Sequence, residues 1–196
     1  MDNLVDHIPP HAILSVLVVD LGDLTCIEAS ASDFCAEGCK VTSNKIAKIN
    51  DLIGLRVTGL EKMIKGRVVT SSEDWAEIKF EFKNTEVRER RRERRRQVRI
   101  PVTVSNRARS ISLECLIVDA SPSGCRLKGA DLHYLPDEVS LKIVGLDLPV
   151  KGQIVWRKSH FAGVRMLWQF SSSAEVAKKS VVQGNGGLGS PNLPKG

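Results

Sequence analysis

The chain is poor in aromatic residues. Three Trp, one Tyr and five Phe make up 5% of its 196 residues, which argues against the broad base-stacking platform of a single-strand nucleic-acid binder. No apolar run approaches the roughly 18 residues that a helical membrane span needs. The opening MDNLVDHIPP has no basic region followed by an apolar core, so no secretory signal is read there and a cytoplasmic protein is expected. Cysteine is scarce and odd in number: Cys26, Cys35, Cys39, Cys115 and Cys125. That argues against a disulfide framework. Cys35 and Cys39 lack a CxxC spacing or a nearby histidine, so all five cysteines are expected to be small buried apolar residues rather than metal ligands. His7, His11, His133 and His160 are scattered, without the spacing of metal or base chemistry. With no nucleophile–base pair and no phosphate loop, neither an enzyme nor a metal or cofactor is expected.

Charge is also missing from most of the chain. There are 29 Lys+Arg and 23 Asp+Glu, a net charge of +6. Eight of the arginines and only Glu89 and Glu93 lie between Arg88 and Arg99, and the remainder balances at 21 of each sign. The whole net charge therefore sits in twelve residues of EVRERRRERRRQVRIP (86–101). A near-neutral protein with one local anion trap points to a compact anion, or to a polyanion touched at one place.

What the chain does have is a repeat. GLEKMIKGRVV (59–69) aligns with GLDLPVKGQIV (145–155) at an offset of 86, and at that offset residues 37–82 match 123–168 with ten identities. Chance gives about three at average usage. The identities include Gly38/Gly124, Cys39/Cys125, Gly59/Gly145, Gly66/Gly152 and Ala76/Ala162. Upstream, matching IEAS (27–30) to VDAS (118–121) changes the offset to 91 and implies five extra residues in the first copy around ASDFCAE. Two copies of one domain are the simplest account: residues 1–84 with a core from about 10, an arginine-rich linker 85–94, a second domain 95–170, and a Gly/Pro-rich disordered tail 171–196. The linker is expected to be mobile, because its charge density makes it a poor isolated helix, and to be the sole connection between the copies.

Each copy reads as β-structure. ILSVLVVDL and LECLIVDA are short β-branched apolar runs, VSLKIVGLDLPVKGQIVWR alternates as two strands about a Gly-Leu-Asp turn, and FAGVRMLW alternates again. Short strands separated by turns predict an all-β protein, each copy a small antiparallel barrel or sandwich. Trp75, Trp156 and Trp168 are expected in the core or at its rim.

A guanidinium offers a planar fork of donors to phosphate and a flat face to a purine. Two arginines spaced by three can hold a small phosphorylated, purine-bearing ligand from both sides, against a wall. DASPSG (119–124) at the end of an apolar strand is a candidate wall: Asp119 can accept from a guanine edge, Ser121 carries a hydroxyl, and Gly124 permits close backbone approach. Alone, each element is bland: a charge run is usually a solvated face, and an Asp-Ser-Gly turn is usually a turn.

Together, in this order and spacing, RRQVR (95–99), an apolar strand, DASPSG, GQIVW and AGVRML resemble the PilZ domain family over about residues 90–168. Its hallmark, RxxxR followed by (D/N)xSxxG, is matched by Arg95, Arg99, Asp119, Ser121 and Gly124. The resemblance implies a tandem of two six-stranded antiparallel β-barrels and binding of the bacterial second messenger cyclic di-GMP. Arg95 and Arg99 would reach phosphate and guanine from a flexible segment ahead of the first strand, Asp119 and Ser121 the guanine edge. Arg94 and Arg96 would be helpers. The first copy departs from the pattern. It has Glu28 in place of Asp119, Ser30 and Gly38 eight apart, and neither Arg nor Lys in residues 1–20. It is expected to be a degenerate barrel used for docking, dimerisation or partner binding. The resemblance thus implies a receptor that changes its inter-domain arrangement and signals to a downstream protein in motility, biofilm or exopolysaccharide control. The alternative is an arginine-rich RNA- or DNA-binding protein.

Overall fold

The computed structural model describes residues 9, 11–58, 62–82 and 94–172. The expected linker and the expected disordered tail fall almost wholly outside these residues. Among these residues twelve strands form two closed barrels. The first holds β1 (Leu14–Asp20), β2 (Cys26–Cys35), β3 (Gly38–Thr42), β4 (Leu52–Val57), β5 (Ile64–Ser71) and β6 (Trp75–Phe80). The second holds β7 (Arg96–Ser105), β8 (Ser112–Ser121), β9 (Gly124–Lys128), β10 (Glu138–Ile143), β11 (Val150–Lys158) and β12 (Phe161–Leu167). In both, each strand pairs antiparallel with its neighbours in the order first, second, third, sixth, fifth, fourth, and the fourth closes on the first. Closure leaves no exposed sheet edge. Among the described residues no helix is long and apolar enough to cross a membrane.

Alternation places the cores. Val16 and Val18 of β1, Ala76 and Ile78 of β6, Val102 and Val104 of β7, and Val139, Leu141 and Ile143 of β10 point inward and are buried, while their neighbours face out, as a two-residue period requires. Cys39 and Cys125 occupy one buried position seen twice, and Cys115 is buried as well. Cys26 is only partly buried and Cys35 is exposed, against the expectation that all five cysteines are internal. Cys35 is the last residue of β2, where the chain turns at the barrel surface.

The register corrects one alignment. Ser30 pairs with Thr42 and Leu116 with Lys128, and Leu14 pairs with Ala31 as Ile100 does with Ile117. The offset of 86 therefore runs unbroken through the first two strands of each barrel, and no five-residue insertion exists. The counterpart of Asp119-x-Ser121-x-x-Gly124 is Asp33-x-Cys35-x-x-Gly38, not Glu28 and Ser30. Tertiary contacts repeat at the same offset. A Cβ on Gly38 would lie 2.0 Å from the Ile78 carbonyl oxygen, and one on Gly124 2.4 Å from that of Val164. Both turns need glycine because the sixth strand of the barrel crosses so close to them.

The barrels are not joined by a linker alone. Val19, Leu21, Leu24 and Met63 of the first barrel share one buried apolar cluster with the core of the second. Beyond β12, Met63 N–H donates to the Gln169 carbonyl at 3.3 Å and Ser171 N–H to the Met63 carbonyl at 2.8 Å. Ion pairs Arg56–Asp147 (3.2 Å) and Arg96–Asp23 (3.1 Å) flank the contact. The expectation of a sole covalent tether gives way because the β1–β2 turn carries two leucines that only the second barrel can cover.

Candidate functional site

The hairpin β8–β9 and the start of β7 bring the motif residues to one end of the second barrel. Asp119 and Ser121 are the last outward and turn-side residues of β8; both are buried, Asp119 to 3% exposure. Ser121 Oγ donates to the Gly124 carbonyl at 3.3 Å, closing the turn. Arg95 Nη1 stands 3.7 Å from Asp119 Oδ1, with its own side chain 64% exposed. Two of the sequence-selected residues, Arg95 and Asp119, are thus brought together by the fold.

The other arginines differ from expectation. Arg96 and Arg99 belong to β7 itself, not to a free segment before it, because β7 and β8 pair as far as Arg96 with Ala120. The register shifts between Gln97 and Ile100, so Arg99 sits in a β-bulge, which breaks the strand's regular alternation. Arg96 turns away from Asp119 and bonds Asp23 of the first barrel at 3.1 Å. Arg94 and Arg99 are exposed, and no ion pair holds either of them among the described residues. Arg88–Arg92 lie outside the described residues.

Two further residues belong to the site. Arg126 Nε lies 2.7 Å from Asp119 Oδ2, and its guanidinium stands over the Phe161 ring at 5.6 Å. Even so, Asp119 Oδ1 and Arg126 Nε are both buried without a hydrogen-bond partner among the described residues. Buried polar atoms are nearly always bonded, so Oδ1, with the Arg95 guanidinium 3.7 Å away and no hydrogen bond among the described residues, is an acceptor with capacity unused. The second addition is Trp156, 41% exposed. A Cβ on Gly163 would lie 2.1 Å from its Nε1, so the indole rests flat on that glycine. Gln97, Asp119, Arg126, Gly163 and Trp156 are successive cross-strand partners on β7, β8, β9, β12 and β11. They form one row that runs from the arginines through an acceptor to an aromatic face. Arg126 escaped the sequence reading although the repeat aligns it with Lys40. Trp156 was placed only as a core or rim residue, because nothing in one dimension shows that Gly163 clears its path.

Cys125, beneath Asp119, has its thiol pushed up to about 12, chiefly by burial and then by the Asp119 charge, so it is no nucleophile at neutral pH. No group of three or more His, Cys, Asp or Glu that could hold a metal occurs among the described residues.

The first barrel keeps the outline of this site without cationic counterparts of Arg95 and Arg99. Asp33 is exposed, at φ 52°, and accepts from Ser32 Oγ at 3.2 Å. Lys40 lies over Trp75 at 4.8 Å, as Arg126 lies over Phe161. Pro9 and Ile13 stand at the counterparts of Arg95 and Arg99.

Residues 89–179 match the family model of the PilZ domain. Among solved structures, the chain is similar to the PilZ domain of CeSA from a cellulose-synthesizing bacterium, with 21% identity, 46% of this chain and 92% of that one covered, and a TM-score of 0.33. It is also similar to Borreliella burgdorferi PlzA in complex with c-di-GMP (9% identity, 85% and 86% covered, TM-score 0.36), and to Escherichia coli YcgR in complex with c-di-GMP (12% identity, 87% and 82% covered, TM-score 0.31). The comparison with curated proteins gives no match.

Proposed function

Since the second barrel is a PilZ domain, we propose that the chain is a receptor for cyclic di-GMP and that residues 95–170, entered through the arginine-rich linker 85–94, form the binding unit. The observation that carries this reading is the open Oδ1 of Asp119, buried yet unbonded, 3.7 Å from the Arg95 guanidinium. A guanine edge supplies the N–H donors that this oxygen lacks, and the dinucleotide's two phosphates supply the anions that Arg95, Arg96 and Arg99 attract. Ser121 and Gly124 shape the wall at which the base arrives. Binding is its task; no catalysis is assigned to it.

Binding is coupled to the arrangement of the barrels through Arg96. In the free protein it is held by Asp23. A phosphate competes for the same guanidinium, and a ligand that takes it loosens one of the two ion pairs at the contact. The altered arrangement is what a downstream protein reads in control of motility, biofilm or exopolysaccharide. The first barrel serves docking or dimerisation, without a ligand of its own. Calorimetric titration of the full chain with cyclic di-GMP tests the reading. Saturable binding at one or two ligands per chain is expected, and no heat at any ratio overturns it.

A further inference from the structure

The second barrel and its counterpart differ in one contact that bears on how the acceptor is presented. In the second barrel the Asp119 side chain is 5% exposed, with Arg126 Nε 2.7 Å from Oδ2 and Arg95 Nη1 3.7 Å from Oδ1, which has no hydrogen-bond partner among the described residues. In the first barrel the matching aspartate, Asp33, is exposed and spends an oxygen on Ser32, and the matching cation is Lys40, drawn over Trp75. A buried carboxylate is tolerated only beside a compensating charge. Arg126 supplies that charge from a fixed place: it is the direct cross-strand partner of Asp119, and Phe161 lies under its guanidinium. Its Nε comes within 2.7 Å of Oδ2 as an ion pair without the alignment of a hydrogen bond, whereas the Lys40 ammonium is drawn over Trp75 and pairs with no carboxylate among the described residues. Arg95 is too exposed and too far to do the same.

From this contrast within one chain we infer that Arg126 is a positioning residue of the ligand site. It fixes the Asp119 carboxylate by way of Oδ2 and leaves Oδ1 for the incoming base. The inference rests on the proposed binding of cyclic di-GMP and deepens it, because it makes guanine selectivity a property of the pair and not of Asp119 alone. Oδ1, with two lone pairs, can accept from both guanine N1–H and the exocyclic N2 amine; a base without that amine offers one donor fewer.

The test uses the full chain with Arg126→Gln, Arg126→Lys, Asp119→Asn and the double substitution Asp119→Asn/Arg126→Gln. Cyclic di-GMP and its hypoxanthine analogue, which lacks the 2-amino groups, are titrated into each. Arg126→Gln is expected to bind cyclic di-GMP about tenfold or more weakly and to lose most of the preference for guanine over hypoxanthine. Arg126→Lys, which keeps the charge, is expected to show the same loss of preference. The double variant should bind no worse than Asp119→Asn alone, as a shared function requires. Arg126→Gln with parental affinity and preference, or losses that add in the double variant, would overturn the inference while leaving the receptor reading intact. So would collapse of the fold in both Arg126 variants, which would make the residue structural. A parent chain that binds neither dinucleotide removes the receptor reading and this inference together.

Discussion

Arg96 Nη1 bonds Asp23 Oδ2 at 3.1 Å, one residue along the chain from the arginine that faces Asp119. Neighbouring arginines thus serve two masters, one the candidate ligand site and one the other barrel. The side chains are 37% and 19% exposed, so the pair contributes only about 0–1 kcal/mol. Asp23→Asn frees Arg96 for the ligand. Cyclic di-GMP affinity should rise by up to about fivefold on that energy scale. Weaker binding in calorimetry would mean that Asp23 presents Arg96 to the ligand instead of withholding it.

Arg95 and Arg99 are exposed and carry little stability, yet each lost charge-assisted hydrogen bond to a phosphate costs about 1.5–3 kcal/mol, or about ten- to a hundredfold in affinity. Arg99→Ala should weaken binding on that scale with a melting temperature close to the parent's. A variant that unfolds, or that binds as the parent does, contradicts this assignment.

The contact between the barrels makes a different claim on stability. Leu21 is 1% exposed within the cluster that spans both barrels, while Leu167 on the outside of β12 is 46% exposed. Leu21→Ala should cost about 2–5 kcal/mol and Leu167→Ala less than about 0.5. Denaturant titration of the two variants checks it. Equal effects would mean that the cluster at the β1–β2 turn does not hold the barrels together.

How much of this was legible beforehand follows from where the signals lie. β10 (Glu138–Ile143) is β4 moved by 86 residues, and glycine and cysteine identities mark the repeat because strand crossings and core volume admit little else. Asp119 and Ser121 were legible from their motif, and Asp33 was not, because Cys35 stands where the motif needs serine and a chance IEAS match drew the alignment aside. Leu21, Leu24 and Met63 read as ordinary core residues: hydrophobicity states that a side chain is covered, not which barrel covers it. Arg126 was hidden for a related reason, since its partner Asp119 is seven residues away and only the β8–β9 register sets them side by side.

The first barrel provides an internal control for ligand location. Cys35 is exposed at the counterpart of Ser121, whereas Cys39 and Cys125 are buried with thiols raised to about 12, and Cys26 and Cys115 to about 11, in each case first by burial. Thiols with raised pKa remain protonated and slow to react near pH 8. A maleimide at that pH should label one cysteine rapidly, and Cys35→Ser should abolish the rapid phase. If cyclic di-GMP occupies the second barrel alone, saturating ligand should leave the rate at Cys35 unchanged. Protection of Cys35 by ligand would place a second dinucleotide on the first barrel.

Salt separates the receptor from its arginine-rich alternative. A nucleic acid that neutralises several arginines releases counterions with each, and a partner making six to ten phosphate contacts loses about a thousandfold or more in affinity between 50 and 200 mM salt. Cyclic di-GMP carries two phosphates, and in the proposed mode its bases would bond to a neutral turn and to a carboxylate whose partner is protein. The logarithm of its affinity should therefore fall with the logarithm of salt at a slope of about two or less, and Asp119→Ala should abolish most binding at every salt concentration. For a polyanion held by the charge of 88–99 the opposite is expected: a slope of six or more, and tighter binding once Asp119 loses its negative charge. Titrations of the parent and of Asp119→Ala at four salt concentrations distinguish the two, because the sign of the Asp119 effect cannot be shared by both modes.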